Sequence, residues 1–308
     1  MKVFVFGVLL LVSCVPAFAA SPLDIAIANV RSSCGAMSVE LADMKMRAGI
    51  GTAVSAVGTV TGGVAVGAGM AKADVDSQIA NWRSVLNAMS AQDKASGVVY
   101  EEINMADLNG LSADDVVLAE LENPNEKLSA LEQKSKKLGN IRTGTLATST
   151  AANIAGAVVA GTNRIKGDLQ QKIDSCIASV TELSRVRMQA RLDGSADDVQ
   201  LANAEKIIAE CGAWETVNVS SIDKRAQGAT VSSGVGAGLG LVGTITSASA
   251  NSDNLNDDKK EQNLNKASNI LAGGTTLASG AATVFNATQI SAIKRAAEVA
   301  DLCEGALK

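Results

Sequence analysis

The chain has 308 residues, 47% of them hydrophobic but only 2% aromatic, with a formal charge of −5 and no histidine. Without histidine, Ser-His, Cys-His and most zinc chemistry is excluded, and a mildly acidic chain with no basic patch is a poor partner for nucleic acid. Three prolines and few aromatics, beside many Ala, Leu, Lys and Glu, predict an all-α protein.

Met1-Lys2 is followed by the apolar run Val3–Val12 and by Ala17-x-Ala19, the pattern of a secretory signal over residues 1–19. The run is shorter than the roughly twenty residues that span a bilayer. Leu11-Val12-Ser13-Cys14 also resembles a bacterial lipobox, in which Cys14 would be lipidated; Pro16 before Ala17-Phe18-Ala19 favours ordinary cleavage. The expectation is an exported protein, whether periplasmic, envelope-associated or secreted. Its four interior cysteines, Cys34, Cys176, Cys211 and Cys303, are then expected to form disulfides, with three pairings open.

The cysteines mark an internal duplication. Cys34-Gly35-Ala36-Met37 recurs as Cys211-Gly212-Ala213-Trp214, an offset of 177, and Asp174-x-Cys176 recurs as Asp301-x-Cys303, an offset of 127. Carried on without a gap, the first offset sets Gly51 on Gly228 and Ser55 on Ser232. This divides the mature chain into a helical unit over 20–192, with an inserted helical stretch over 72–142, and a second unit over 193–308.

Ser21-Pro22-x-Asp24 opens a helix expected to run to about Met46. Val75, Ile79, Trp82, Leu86 and Met89 then recur at spacings of four and three, an apolar helical stripe. Turn residues cluster at Asn104–Gly110. Ser112 with Asp115 caps a further helix, and Asn123, Pro124 and Glu126 open the next. Asp197 with Asp198 caps one more helix after the Gly194-Ser195 turn.

The midpoint of Cys34 and Cys176 falls in the Asn104–Gly110 turn, and that of Cys211 and Cys303 in the polar run Asp253–Asn265. Two elongated antiparallel hairpins, each closed at its open end by a disulfide within the unit, follow from that placement. Pairing Cys176 with Cys211 across the Gly194 turn is the other arrangement that helix geometry permits.

Each unit carries two uncharged segments: Ala48–Ala71, Thr143–Asn163, Ala226–Ser252 and Ala267–Ile293. At 21 to 27 residues they are long enough for a bilayer. Gly58 with Gly62, Gly63 with Gly67, Gly234 with Gly238, and Gly236 with Gly240 repeat the spacing that lets two helix backbones approach, the glycine-zipper pattern. Ser, Thr, Asn and Gly dilute the apolar character, Asn153, Asn163, Asn269 and Asn286 are awkward in lipid, and no aromatic belt flanks the segments.

Gly238-x-Gly240-x-x-Gly243 fits the dinucleotide fingerprint by letters without its strand–turn–helix setting. No catalytic, cofactor or metal site is expected, and the protein is read as no enzyme. The leading expectation is a soluble exported structural or interaction protein whose Gly/Ala-rich helices pack on each other, on another protein or on a second copy. The alternative is a membrane-active protein whose hairpins insert and oligomerise, as pore-forming or translocation proteins do.

Overall fold

A computed structural model describes residues 21–96, 124–252 and 258–308, and among them there is no strand. The signal segment with Cys14, the Asn104–Gly110 turn and the Ser112–Asp115 cap lie outside the described residues. The helices are α1 (Pro22–Cys34), α2 (Met37–Ser96), α3 (Pro124–Thr162), α4 (Gly167–Asp193), α5 (Asp198–Gly212), α6 (Val219–Ala250) and α7 (Asp258–Ala306), with a 3-10 turn at Ala213–Thr216.

Local chemistry explains most boundaries. The Ser21 side chain accepts from the Asp24 amide ahead of Pro22, and Asp197 forms a reciprocal capping box with Gln200. Gly194 ends α4 in the left-handed conformation (φ 67°), which a residue without Cβ adopts freely. The helix expected to reach Met46 in one piece is broken: α1 stops at Cys34, Ala36 takes φ 62°, and α2 restarts at Met37. That break turns the chain beside the disulfide.

The chain forms two compact units, and each draws on both repeats. The first comprises residues 21–42, 165–219 and 294–308. Here α1 packs on α4 and α4 on α5 around Leu23, Ile27, Val30, Leu169, Ile173, Leu183, Ile207 and Trp214, all buried. Each such side chain contributes about 1.5–3 kcal/mol, an ordinary apolar core. Both disulfides lie in this unit, Cys34–Cys176 and Cys211–Cys303, so the pairing is within repeats. The two bonds are neighbours: the Sγ atoms of Cys34, Cys211 and Cys303 all lie within 4.8 Å of one another. Ser38 donates to Glu304, and Lys172 pairs with Glu40 at 2.6 Å.

The second unit comprises residues 43–164 and 220–293, a four-helix bundle of α2, α3, α6 and α7. The buried positions on α6 are 222, 226, 229, 233, 236, 240, 243, 247 and 250. Shifted back by 178 they fall on 44, 48, 51, 55, 58, 62, 65, 69 and 72 of α2, and all nine are buried. A shift of 126 likewise carries buried positions 139, 142, 146, 149, 153, 156, 160 and 163 of α3 onto buried positions of α7. The duplication therefore holds in three dimensions, but the gapless offset of 177 is corrected to 178 in the bundle. Ser55 is equivalent to Ser233, not Ser232. The extra residue enters after Cys211, where the 3-10 turn replaces the sharp break at Ala36.

The register decides which glycines matter. Gly58, Gly62, Gly236 and Gly240 are buried; a Cβ on Gly62 would lie 2.6 Å from Thr276 Oγ1, and one on Gly236 would lie 2.9 Å from Asn153 Cγ. Gly63, Gly67, Gly234 and Gly238 face outward with nothing within 4 Å of such an atom. Gly236→Leu is accordingly expected to lower stability by about 1–3 kcal/mol through overpacking. Gly238→Ala is expected to raise it by about 0.5–1 kcal/mol through helix propensity. Denaturant titration of the two purified variants checks the contrast.

Candidate functional site

The bundle reverses the usual distribution of side chains. Within 48–71, 143–161, 230–248 and 267–287, every exposed residue is Gly, Ala, Val, Ile, Leu, Met or Phe, apart from Thr148. Val60, Ile270 and Leu277 are 66, 75 and 77% exposed. The inward positions are Gly, Ala, Ser, Thr and Asn, with Leu146 the one large aliphatic side chain buried within those four ranges. In the half-buried and exposed threonines the hydroxyl bonds back to the carbonyl four residues earlier, as in Thr52, Thr59, Thr148, Thr230, Thr246 and Thr283. These hydroxyls therefore need no water.

The four segments are level. Gly58 meets Asn153 and Ser279, Gly236 meets the same Asn153, Gly62 meets Ser149 and Thr276, and Gly240 meets Thr150. At one end of the band, Gly69 meets Asn269 and Arg142. At 1.5 Å per residue, the 21 to 27 residues of each segment extend about 31–40 Å, which matches a hydrocarbon core of about 30 Å.

A file of polar side chains runs along the inside. At one end Gln289 Nε2 donates to the Asn163 carbonyl at 2.9 Å. Asn286 Nδ2 then donates to Ser55 Oγ at 3.3 Å, and Ser279 Oγ donates to Asn153 Oδ1 at 2.9 Å. Ser149 donates to the Gly58 carbonyl at 2.8 Å. Equivalent residues of the two repeats touch each other here, 163 with 289 and 153 with 279. They lie on a local two-fold relation like that of a dimer joined into one chain. Three of the asparagines that looked ill-suited to lipid, Asn153, Asn163 and Asn286, are in fact buried, and Asn269 is half-buried against Arg142.

Beyond the Leu146 layer the file becomes charged. Arg142 is fully buried and donates to Ser247 Oγ at 2.9 Å, Asn269 Oδ1 at 3.2 Å and Asn265 Oδ1 at 2.6 Å. The carboxylates of Asp76 and Glu261 lie close enough to act on its charge. Lys72, 2% exposed, bridges those same two carboxylates at 2.8 and 3.0 Å. Ser135 donates to Asp76 as well. Beside this cluster opens a cavity of about 980 Å³ lined by Lys72, Asp76, Glu261, Asn265 and Asn269.

Compared with known proteins, this chain matches no family, no curated relative and no solved structure. Its function has to be argued from the bundle itself.

Sequence reasoning located the four segments and the cysteines, but not the residues that give the bundle its character. Lys72 and Arg142 adjoin the uncharged segments Ala48–Ala71 and Thr143–Asn163, and their charge alone suggested solvent. The spacing of three from Gly69 to Lys72 and of four from Arg142 to Leu146 was the available signal that they point inward. The fingerprint-like Gly238-x-Gly240-x-x-Gly243 lies inside α6 and splits between an outward and two inward positions. The cysteine sulfurs are taken up in S–S bonds.

Proposed function

We propose that this is a non-catalytic membrane protein whose four-helix bundle is embedded in lipid. Its disulfide-closed unit, charged along its helices, stays in the aqueous phase. One observation carries the reading: the level, uncharged band of the bundle is apolar outside and polar inside. In water that arrangement exposes the side chains that gain most from burial and hides those that gain least. In lipid both terms change sign, and small inward residues allow the close helix approach on which membrane bundles depend.

Two helical stretches, within Pro22–Ser84 and Asp198–Ala250, hold 18-residue windows apolar enough to cross a membrane, with only 28% of each window buried. The core helix of a soluble protein would be mostly buried. The pair of disulfides fits an oxidising compartment and therefore export, in keeping with the signal-like N-terminus. The disulfides and helical hairpins are equally compatible with an exported structural protein; the outward apolar band is what favours the membrane-embedded alternative.

The test is flotation of the mature chain after reconstitution with phosphatidylcholine–phosphatidylglycerol vesicles, followed by alkaline carbonate extraction. The protein is expected to float and to resist extraction. Val60→Lys with Leu277→Lys, two charges in the outward band, costs about 2.5–3.5 kcal/mol each in lipid and is expected to abolish flotation while both disulfides still form. A monodisperse species in plain buffer that never floats would sink the proposal.

A further inference from the structure

We infer that the polar file inside the bundle is a path for water and similarly small uncharged hydrogen-bonding solutes, closed at Leu146 and barred to cations by Arg142. The inference rests on the membrane placement proposed above.

The first support is a set of unmet polar atoms. Asn163 Oδ1, Asn286 Oδ1, Ser233 Oγ and Asn153 Nδ2 are all buried without a hydrogen-bond partner. An unmet buried polar atom forfeits its hydration without return, and native interiors satisfy nearly all of them. These four lie along one file; Asn153 on α3 and Asn163 just past its C-terminal end are alone ten residues, about 15 Å, apart. They comprise two acceptors, one donor and one hydroxyl able to do either, the complement that successive water molecules satisfy.

Small side chains line the file. A Cβ on Gly156 would lie 3.1 Å from Ser233 Oγ and 3.2 Å from Ser55 Oγ, so the missing methyl group lets these two hydroxyls close in on the α3 backbone.

The second support is the single interruption. Leu146 packs with Ala65 and Ala272 in an apolar layer, and its Cδ atoms reach 3.7 Å from the position of a Cβ on Gly243. One isobutyl group thus fills a ring of otherwise small residues. An apolar constriction between two polar stretches is a dewetting gate.

On the far side stands Arg142, whose partners Asn265 and Asn269 line the 980 Å³ cavity. Beyond the gate, then, there is a fixed guanidinium charge and then an aqueous vestibule. A buried positive charge on the path repels cations and leaves neutral solutes unhindered.

The experiment compares wild type, Leu146→Ser, Leu146→Ala and the outward-facing control Ala147→Ser in the same vesicles. Flotation and circular dichroism are recorded for each, osmotic shrinkage is followed by stopped-flow light scattering, and potassium entry is followed with an encapsulated dye. Wild type is expected to shrink at nearly the protein-free rate, as a closed path should. Leu146→Ser is expected to shrink several-fold faster, Leu146→Ala to a lesser degree, with potassium entry unchanged and Ala147→Ser like wild type. Floating Leu146 variants with no gain in shrinkage overturn the path and leave the membrane placement standing. A wild type that does not float overturns both. Equal gains in water and potassium flux, or the same gain from Ala147→Ser, overturn the gated selective path in favour of general leakage.

Discussion

Serine at both Cys211 and Cys303 is expected to cost the disulfide-closed unit about 5 kcal/mol. That bond closes a loop of 92 residues and its counterpart one of 142, so each removes a large part of the freedom of the unfolded chain. Total stabilities run about 5–15 kcal/mol, so losing one bond leaves the unit marginal and losing both unfolds it. Trp214, 1% exposed within that unit, supplies the readout once Trp82 is replaced by phenylalanine. A guanidinium titration followed by Trp214 fluorescence should show the midpoint falling sharply in the variant, and the reduced wild type, which lacks both bonds, should give the unfolded signal without denaturant. A shift below about 1 kcal/mol would mean that the unfolded chain is already constrained near this site.

Arg142→Leu is expected to cost the bundle about 3–5 kcal/mol. The guanidinium satisfies Asn265 Oδ1, Asn269 Oδ1 and Ser247 Oγ at once, and removing it takes away three charge-assisted hydrogen bonds together. It also removes the positive charge that helps Lys72 balance Asp76 and Glu261. Adding Asn265→Leu and Asn269→Leu to the same chain should recover part of the loss, since an apolar replacement of a whole buried polar set is often neutral. Thermal unfolding of the single and triple variants measures both effects. A single variant within about 1 kcal/mol of wild type would place Arg142 outside the core of the network.

Much of the fold was legible because punctuation and covalent logic are local. Ser21-Pro22, the Asp197-Asp198 pair, Gly194 and Pro124 mark helix ends through backbone hydrogen bonding alone, and the structure begins or ends helices at each. The within-repeat disulfides followed from where each pair of cysteines would meet if the chain folded back at its turn. What escaped was the facing of the helices. The usual rule places Val, Ile and Leu inside. Here Val60, Val64, Val235 and Leu277 are exposed, while Ser55, Asn153, Ser233 and Ser279 are buried. An apolarity pattern read on these segments therefore points to the wrong side. The same inversion hid Leu146, an unremarkable residue by sequence whose importance comes from being large where its neighbours are small. The one-residue slip from 177 to 178 escaped for a different reason. In Gly/Ala/Ser/Thr/Val-rich sequence, adjacent registers share nearly as many letters as the true one, and only burial separates Ser232 from Ser233.

The interleaving of the repeats has a consequence for synthesis. Residues 43–164 supply half of the bundle and 220–293 the other half, while the disulfide-closed unit waits on residues 294–308 to complete it. No growing chain that stops within the first repeat holds a whole unit. Domains encoded continuously can close one after another as they emerge from the ribosome. Here both must stay open until the second repeat has arrived, so the chain is still unfolded at the moment when passage through a narrow channel would require it.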